Sequence, residues 1–356
     1  MIKNLLISCV FFLGISSYAD QYTPLIFPEM GAEGKSKIIE LIQHSEKELN
    51  LGIYRLEDSE LIQAILDASD RGVQVNILIN DFDMSGSPFD LTQFSTTIQK
   101  LGENRNAYER LNFHPNISIK TFPTDLCFLY HSKFLVIDGR KSLISTFNFN
   151  SNGLCGARNL GVIIEDPALG KSLNQVFYSD FNNLPVPESI PDNLAIAPIN
   201  YLEQIQNFIQ TSHKTLDIYQ TGLSKRDICT LLDSVALDHD LDIRILTSLN
   251  VFSSGSKTED MEECLDILTR NLHIQVREIT DSSFYIHAKL LLSDSTSEEQ
   301  GKIFIGSSNF LNEGLLHSRE LGFIFSDPAV MNIFSDIFQL DWDKGNPIDR
   351  SLSGKL

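Results

Sequence analysis

The sequence RNLGVIIEDP at residues 158–167 recurs with few changes as RELGFIFSDP at residues 319–328. The two copies lie in opposite halves of the chain, and each joins a Leu-Gly pair and an apolar run to an Asp-Pro pair. A match of this kind indicates an internal duplication, in which two copies of one structural unit follow each other along the chain.

The order of the elements before each copy repeats as well. In the first half, the apolar spacing predicts strands at residues 51–54 and 73–79, each preceded by a helix. In the second half, strands are predicted at residues 216–219 and 241–246, with a helix at residues 228–237 between them. Alternating strands and helices predict an α/β fold, with one α/β/α sandwich in each half. Two such halves are expected to pack about a pseudo-two-fold axis, in a monomer that is an internal pseudo-dimer.

A proline-rich segment divides the two units. Residues 185–192 contain three prolines, a density that is typical of a linker. We therefore predict a first half at residues 20–184 and a second half at residues 193–356.

The chain is acidic. Its 356 residues include 28 Lys and Arg against 47 Asp and Glu, for a net charge of −19 and a pI of about 4.7. Proteins that bind tracks of DNA or RNA phosphates usually carry net positive charge, so this balance disfavours a general nucleic-acid binder. An anionic membrane surface would repel most of the molecule, so a phosphate-bearing substrate must meet a local basic site.

Residues 1–19 have the pattern of a secretory signal. A short positive region, an apolar run from Leu5 to Ile15 and small residues before Asp20 follow one another. The apolar run is shorter than the roughly 17–25 residues of a transmembrane helix. We predict a cleaved signal peptide and an exported protein, periplasmic or secreted, with an uncleaved amino-terminal anchor as the alternative.

Four cysteines follow the predicted signal, and they are Cys127, Cys155, Cys229 and Cys264. An even number of cysteines in an exported chain permits disulfide bonds. No CxxC pair or Cys/His cluster in the sequence has the spacing of a zinc site. We expect buried thiols rather than one or two bridges, and no metal.

A pattern of reactive residues is also duplicated. His131 and Lys133 lie two positions apart in an apolar run that is predicted to be a strand, so both side chains should share one face. His287 and Lys289 repeat this arrangement in the second half. A lysine beside a histidine can bind an anionic oxygen while the imidazole attacks or transfers a proton. Two such sets facing each other can hold one tetrahedral phosphoryl group between two imidazoles.

Further polar residues follow each His-Lys pair at similar spacing: an aspartate, then a hydroxyl residue, then an asparagine two positions later. They are Asp138, Thr146 and Asn148 in the first half and Asp294, Ser307 and Asn309 in the second. The hydroxyls and amides would donate hydrogen bonds to the phosphoryl oxygens and stabilise negative charge in the transition state.

These motifs resemble the signature of the phospholipase D superfamily, H-x-K-x4-D followed by G-S-x-N, and the resemblance extends from about residue 24 to about residue 345. It implies one shared site to which each half contributes a motif, with no metal and no cofactor. It also implies that one histidine forms a phosphohistidine, that the other is a general acid, and that water then releases the product. By position, one half-site contains His131, Lys133 and Asn148, the other contains His287, Lys289, Ser307 and Asn309, and the supporting residues are Asp138, Asp294 and Thr146.

The sequence departs from the family pattern in two places that concern the site. The first half has a Ser-Thr pair where the family has Gly-Ser, which keeps a hydroxyl at Thr146. The family often has a carboxylate eleven residues after the motif asparagine, and this position holds Glu320 in the second half but Asn159 in the first. In members where the carboxylate crosses to the opposite half, Glu320 would orient His131 and raise its basicity. The resemblance then implies that His131 is the nucleophile and that His287 is the acid.

We expect an exported phospholipase D that hydrolyses glycerophospholipids at a membrane surface to phosphatidate and head-group alcohol. A secreted, metal-independent endonuclease of the same superfamily is the main alternative, and the net charge of −19 disfavours it. A phosphatidyltransferase resembling cardiolipin synthase is disfavoured by the export signal. An inactive lipid-binding relative is the non-enzymatic alternative, against which the two complete His-Lys pairs argue.

Overall fold

The computed structural model of the protein describes residues 21–80, 102–122, 127–249, 258–281, 284–293 and 301–348. Within these ranges the chain forms two mixed β-sheets of eight strands each, and eight α-helices pack on them. This architecture confirms the predicted α/β fold class. The predicted signal peptide, residues 1–19, lies outside the described residues.

The first sheet is built almost entirely from the first half of the chain. Its strands are β1 (Tyr22–Phe27), β2 (Glu48–Ile53), β3 (Gln74–Ile79), β4 (Ile117–Thr121), β5 (Lys133–Ile137), β6 (Lys141–Ser145) and β7 (Ala157–Glu165). They lie in the order β1-β7-β6-β5-β2-β3-β4. Strands β2, β3 and β4 are parallel, whereas β2-β5, β5-β6, β6-β7 and β7-β1 are antiparallel pairs.

The second half repeats this order and adds one edge strand, β16. Its strands are β8 (Leu194–Ala197), β9 (Thr215–Tyr219), β10 (Asp242–Thr247), β11 (Ile274–Glu278), β12 (Tyr285–Ile286), β13 (Leu290–Ser293), β14 (Lys302–Gly306), β15 (Glu320–Phe325) and β16 (Asn346–Pro347). The second sheet has the order β16-β11-β10-β9-β13-β14-β15-β8. Strand β12 belongs to the second half of the chain but pairs with β7 in the first sheet.

The helices of the two halves also correspond. They are α1 (Gly31–Gln43), α2 (Ser59–Asp70), α3 (Arg105–Leu111), α4 (Pro167–Phe181), α5 (Tyr201–Gln210), α6 (Arg226–Asp238), α7 (Glu259–Arg270) and α8 (Pro328–Trp342). The Asp-Pro pairs of the repeated stretch begin α4 and α8, because Asp166 and Asp327 accept hydrogen bonds from free backbone N–H groups of the first turn. Proline follows each cap at the first helical position, where its missing N–H costs no hydrogen bond.

Three apolar cores hold these layers together. One lies between the first sheet and α1, α2 and α3, and its counterpart lies between the second sheet and α5, α6 and α7. The third contains α4 and α8 together with side chains from both sheets, so it joins the two halves. Phe177 on α4 and Phe334 on α8 are fully buried in it. Burying one such ring contributes about 1.5–3 kcal/mol to stability.

The regular elements agree with the periodicity of the sequence, with one correction. The predicted strands correspond to β2, β3, β9 and β10, and the predicted helix at residues 228–237 corresponds to α6. The strand predicted through each motif is shorter than expected. Strand β5 begins only at Lys133, and His287 and Lys289 lie between β12 and β13, outside both strands. The backbone N–H of His131 does not join its own sheet, since it donates to Arg319 of the other half.

The expectation of buried thiols is wrong for three of the four cysteines. Cys229 on α6 and Cys264 on α7 form a disulfide, with their Cα atoms 5.5 Å apart. Helix packing brings these residues within bridging distance, and spacing along the chain does not reveal such packing. Cys127 is a buried thiol, and Cys155 is an exposed one.

Residues 185–192 contain neither helix nor strand and connect α4 to β8. The predicted domain boundaries on either side of them stay predictions. In the part of the chain that the structure describes, every helix is too short or too polar to cross a bilayer.

Candidate active site

Two crossing segments position the motif histidines. Tyr130 forms a parallel bridge with Arg319 at the start of the second half's repeated stretch, and the N–H of His131 donates to the Arg319 carbonyl at 2.8 Å. In the same way, β12 pairs with the start of β7, and the N–H of His287 donates to the Arg158 carbonyl at 3.0 Å. Each histidine is therefore attached to the repeated stretch of the opposite half.

The two arginines are held by buried ion pairs that also cross between the halves. Arg158 donates through Nε to Oδ2 of Asp341 at 2.5 Å. Within its own half, Arg158 also donates to Oε1 of the half-exposed Glu29 at 2.7 Å. Arg319 pairs with Oδ1 of Asp180 at 3.1 Å. Asp341 lies on α8 and Asp180 on α4, so each pair ties a strand of one half to a helix of the other. Removing one partner of a buried ion pair is strongly destabilising, so the pairs Arg158–Asp341 and Arg319–Asp180 should hold the two crossing segments in place.

A carboxylate orients the first histidine. Nδ1 of His131 lies 2.9 Å from Oε1 and 3.0 Å from Oε2 of Glu320. When Glu320 is ionised it can only accept at this contact, so Nδ1 then carries the ring proton and Nε2 is the ring nitrogen without one. The crossed contact that the family pattern implied is present. The roles of nucleophile and acid stay predictions.

An amide orients the second histidine. Nδ1 of His287 lies 2.9 Å from Oδ1 of Asn159. Thr146 donates to the same oxygen at 2.9 Å, and Nδ2 of Asn159 donates to the Gly153 carbonyl at 3.1 Å, so the amide has one orientation. The sequence suggested only that a carboxylate had been lost at position 159. Its signal was the spacing from the motif asparagine, which matches that of Glu320.

The two motif hydroxyls support these orienting residues. Thr146 and Ser307 are fully buried. The Thr146 hydroxyl contacts Asn159, as described above, and accepts from the N–H of Leu160 at 2.9 Å. The Ser307 hydroxyl accepts from the N–H of Leu321 at 3.0 Å and donates to its carbonyl at 3.2 Å. These hydroxyls make their hydrogen bonds inside the protein, and the expectation that they donate to phosphoryl oxygens stays a prediction.

The two lysines have matching contacts. Nζ of Lys133 donates to the His131 carbonyl at 2.5 Å, and Nζ of Lys289 donates to the His287 carbonyl at 2.5 Å. Thr221 offers a further oxygen to Lys289 at 3.3 Å. Burial lowers the pKa of Lys133 well below its usual value and the pKa of Lys289 to about 7. The charge of Glu320 opposes this shift at both lysines, and a bound phosphate would strengthen their charged forms further.

The four motif side chains influence one another across the halves. Burial is the main cause that lowers the pKa of both histidines, and Lys133 and Lys289 each lower the pKa of both rings further. Burial also raises the pKa of Glu320 to about 8, against the opposing effect of Lys133. The site therefore favours neutral imidazoles until an anion enters, and an anionic phosphate would shift the balance toward a protonated ring.

The remaining motif residues are two asparagines and two aspartates, and their surroundings differ. Asn148 and Asn309 follow β6 and β14, and among the described residues their buried side-chain oxygens have no hydrogen-bond partner. Asp138 lies in the β5-β6 turn and accepts backbone N–H bonds from residues 46–48, which makes it a structural support. Asp294 lies outside the described residues. Within the described ranges, no group of three or more His, Cys, Asp or Glu residues is placed to hold a metal ion.

Sequence reasoning missed three residues beside the motifs. The ring of Tyr54 packs edge-on against His131, with 4.8 Å between ring centroids, and Tyr285 lies 6.1 Å from the ring of His287. Arg55 adjoins Tyr54 and adds to the positive charge that acts on His131. The only available signal was position, since Tyr54 and Arg55 follow the carboxyl end of β2, the edge where ligands often bind in α/β sheets.

The chain matches the family described as "Cardiolipin synthase, PLD-like domain" at residues 38–181 and again at residues 205–342. Each matched stretch contains one His-Lys pair. The match therefore follows the duplication seen in the sequence and in the two sheets.

The chain is also similar to named proteins. Phospholipase D of Rickettsia prowazekii is 28% identical over 143 residues, which are 40% of this chain and 60% of the relative, so less than two thirds of the relative is spanned. Polyphosphate kinase of Porphyromonas gingivalis superimposes with a TM-score of 0.68 at 17% identity, over 93% of this chain and 49% of that one. Phosphatidylserine synthase of Haemophilus influenzae superimposes with a TM-score of 0.65 at 15% identity, over 95% and 90%. At these identities the two structures show a shared fold.

Proposed function

The chain belongs to the phospholipase D-like family, whose members act on phosphodiesters, and we propose that it is a phospholipase D-type phosphodiesterase. Its substrate would be a glycerophospholipid at a membrane surface, and its products phosphatidate and a head-group alcohol. The observation that supports this best is the pair of crossed contacts, His131 with Glu320 and His287 with Asn159. They leave two Nε2 atoms, one from each half, available for a phosphoryl group.

The first step transfers the phosphatidyl group to the protein. Nε2 of His131 attacks phosphorus, a nitrogen–phosphorus bond forms, and the bond from phosphorus to the head-group oxygen breaks. Protonated His287 gives its proton to that leaving oxygen. Lys133 and Lys289 stabilise the negative charge on the other phosphoryl oxygens.

The second step releases phosphatidate. His287, now neutral, takes a proton from water as the water oxygen attacks phosphorus. The nitrogen–phosphorus bond breaks, and its electron pair returns to Nε2 of His131. Glu320 favours the intermediate in its ionised form, because the phosphorylated ring is positively charged.

Transfer to an alcohol is a second candidate, and the description of the matched family, which names cardiolipin synthase, favours it. The same phosphohistidine would react with a lipid hydroxyl in place of water. Hydrolysis and transfer then differ only in the second acceptor, so one assay with both acceptors present separates them.

Export and a monomeric state are part of the proposal. Residues 1–19 have the pattern of a secretory signal, with an uncleaved anchor as the rival interpretation. The disulfide between Cys229 and Cys264 supports an oxidising compartment outside the cytoplasm, where such bonds persist. The duplicated chain supplies both half-sites, which supports a monomer with an internal pseudo-dimer.

The test is an assay in EDTA with phosphatidylcholine, cardiolipin and, separately, plasmid DNA, in the presence of ethanol. Mass spectrometry would detect phosphatidate as the product of hydrolysis and phosphatidylethanol as the product of transfer. His131→Ala should abolish both products, whereas His44→Ala, at an exposed position, should not. Cleavage of DNA without any lipid product would support the endonuclease instead. Equal activity of His131→Ala and the parent protein would refute the mechanism.

A further inference from the structure

The residues beside the site differ between the two halves. Leu56 and Leu223 make equivalent parallel bridges to the residue that follows each motif asparagine, so they occupy matching positions. The residue before Leu56 is Arg55, and the residue before Leu223 is Gly222. The first half therefore carries a positive side chain where the second half has none.

Arg55 is connected to the reacting groups through Tyr54. The guanidinium carbon lies 5.3 Å from the Tyr54 ring centroid, and that ring packs against the ring of His131 at 4.8 Å. Nζ of Lys133 lies 5.2 Å from the same ring. The pKa of Tyr285 in the second half is raised by burial, and the charge of Arg55 works against that rise. Arg55 thus lies near both halves, yet the proposed mechanism does not use it.

The guanidinium of Arg55 already pairs with one carboxylate. Arg55 pairs with Oε1 of Glu103 at 3.1 Å, and the two side chains are 28% and 44% exposed. A guanidinium carries five N–H donors in a planar fork, so one carboxylate contact leaves donors for a second oxyanion. A half-exposed pair of this kind contributes little to stability, so a ligand can replace it at small cost.

We propose that Arg55 binds a second anionic group of the substrate, beside the phosphate that is cleaved, and so selects phospholipids with two anionic groups. The inference rests on the proposed function. Lys133 and Lys289 hold the reacting phosphate, and Arg55, beyond the Tyr54 ring, takes a neighbouring phosphate or carboxylate. The net charge of −19 favours a lipid over a nucleic acid as the source of that group.

The experiment compares cardiolipin with phosphatidylglycerol in mixed micelles of a nonionic detergent. The two lipids share a glycerol head group, but only cardiolipin carries a second phosphate. Arg55→Gln should lower the ratio of kcat/KM for cardiolipin to kcat/KM for phosphatidylglycerol by about tenfold, mainly through KM, because a charge-assisted hydrogen bond is lost. Glu103→Gln should keep or raise that ratio, since it removes the competing carboxylate.

The matched control is Arg105→Gln, which removes an exposed arginine paired with Glu109 on α3. It should leave the ratio unchanged, and an equal fall in this variant would reduce the effect to bulk charge. An unchanged ratio in Arg55→Gln would overturn the inference, as would a loss confined to DNA cleavage.

Binding to the same micelles by His131→Ala protein, with and without Arg55→Gln, gives a second readout that needs no turnover. Arg55→Gln should weaken binding to cardiolipin more than binding to phosphatidylglycerol, and equal weakening would contradict the inference. If the parent protein cleaves neither lipid, the proposed function fails, while this binding comparison still decides the role of Arg55.

Discussion

The imidazole of His131 and the carboxylate of Glu320, which come from opposite halves of the chain, are 2.9 Å apart at Nδ1 and Oε1. The equivalent partner of His287 is the neutral amide of Asn159, also at 2.9 Å. A carboxylate stabilises a positively charged ring, whereas an amide fixes only its orientation. This difference supports the proposed roles, in which His131 forms the covalent intermediate and His287 transfers the proton.

Glu320→Gln should slow formation of the covalent intermediate by about 10–100-fold, because His131 loses the charge that supports a phosphorylated ring. The reduction should be equal for a diester with a nitrophenol leaving group and for a natural phospholipid. Rapid-quench measurement of the first turnover checks this.

Asn159→Ala should behave differently, because the acid matters little when the leaving group is already stable as an anion. We expect a large loss of the first-turnover rate with the natural lipid and a small loss with the nitrophenol diester. If both substrates suffer equally, the assignment of His287 as the acid is wrong.

The pH dependence of kcat/KM should follow the lysine that binds phosphate. The pKa of Lys289 is about 7, so its charge is present below this pH and is lost as the pH rises through it. We expect kcat/KM to fall on the alkaline side with an apparent pKa near 7. Lys289→Arg keeps a charge at all these pH values and should move that fall to higher pH, whatever its effect on the maximum. An unmoved alkaline limb in this variant would assign the titration to another group.

Much of the fold could be predicted because its signals are local. The periodicity that gives β2, β3, β9 and β10 lies within single segments, and duplication allowed each half to support the interpretation of the other. The spacing of His131 to Lys133 and of His287 to Lys289 identified the central side chains for the same reason.

The parts that were not predicted depend on contacts between distant segments. The pairing of β12 with β7 and the hydrogen bond from His131 to Arg319 join different halves, and no local pattern records them. The bond between Cys229 and Cys264 follows from the packing of two helices. Asn159 differs from the expected carboxylate, and its role became visible only through its contact with His287.

The two buried ion pairs, Arg158–Asp341 and Arg319–Asp180, should differ in how their contributions to stability depend on pH. Burial raises the pKa of Asp341, but hydrogen bonds and the charge of Arg158 outweigh it and lower the pKa below its usual value. Its contribution is thus present at neutral pH and lost in acid. We expect Asp341→Asn to reduce the free energy of unfolding by about 3–5 kcal/mol at pH 7, and this deficit to shrink as the pH falls toward 3.

Asp180→Asn is the matched comparison. Burial raises the pKa of Asp180 to about 6, above its usual value of 3.8, despite Arg319. The folded protein therefore gains stability from this carboxyl as the pH falls from 7 to 4, and the deficit of Asp180→Asn relative to the parent should grow over that range. Urea unfolding at a series of pH values checks both slopes, and slopes of the same sign would contradict these assignments.

The disulfide should stabilise the second half. Cys229 and Cys264 are 35 residues apart, and opening a loop of this size by Cys229→Ser with Cys264→Ser should cost about 2–4 kcal/mol. Cys155→Ser, at an exposed free thiol, should leave the stability unchanged within about 0.5 kcal/mol. Urea unfolding would measure both, and equal stability of the double variant and the parent would show that the bridge contributes nothing.

The most direct test is to trap the covalent intermediate. Acid-free quenching during turnover of a phospholipid, followed by peptide mass spectrometry, should find the phosphatidyl group on His131 and not on His287. Its absence from His131→Ala protein and its accumulation in His287→Ala protein with a nitrophenol diester would complete the assignment. A modification located on His287, or turnover with no modified histidine at all, would contradict the account.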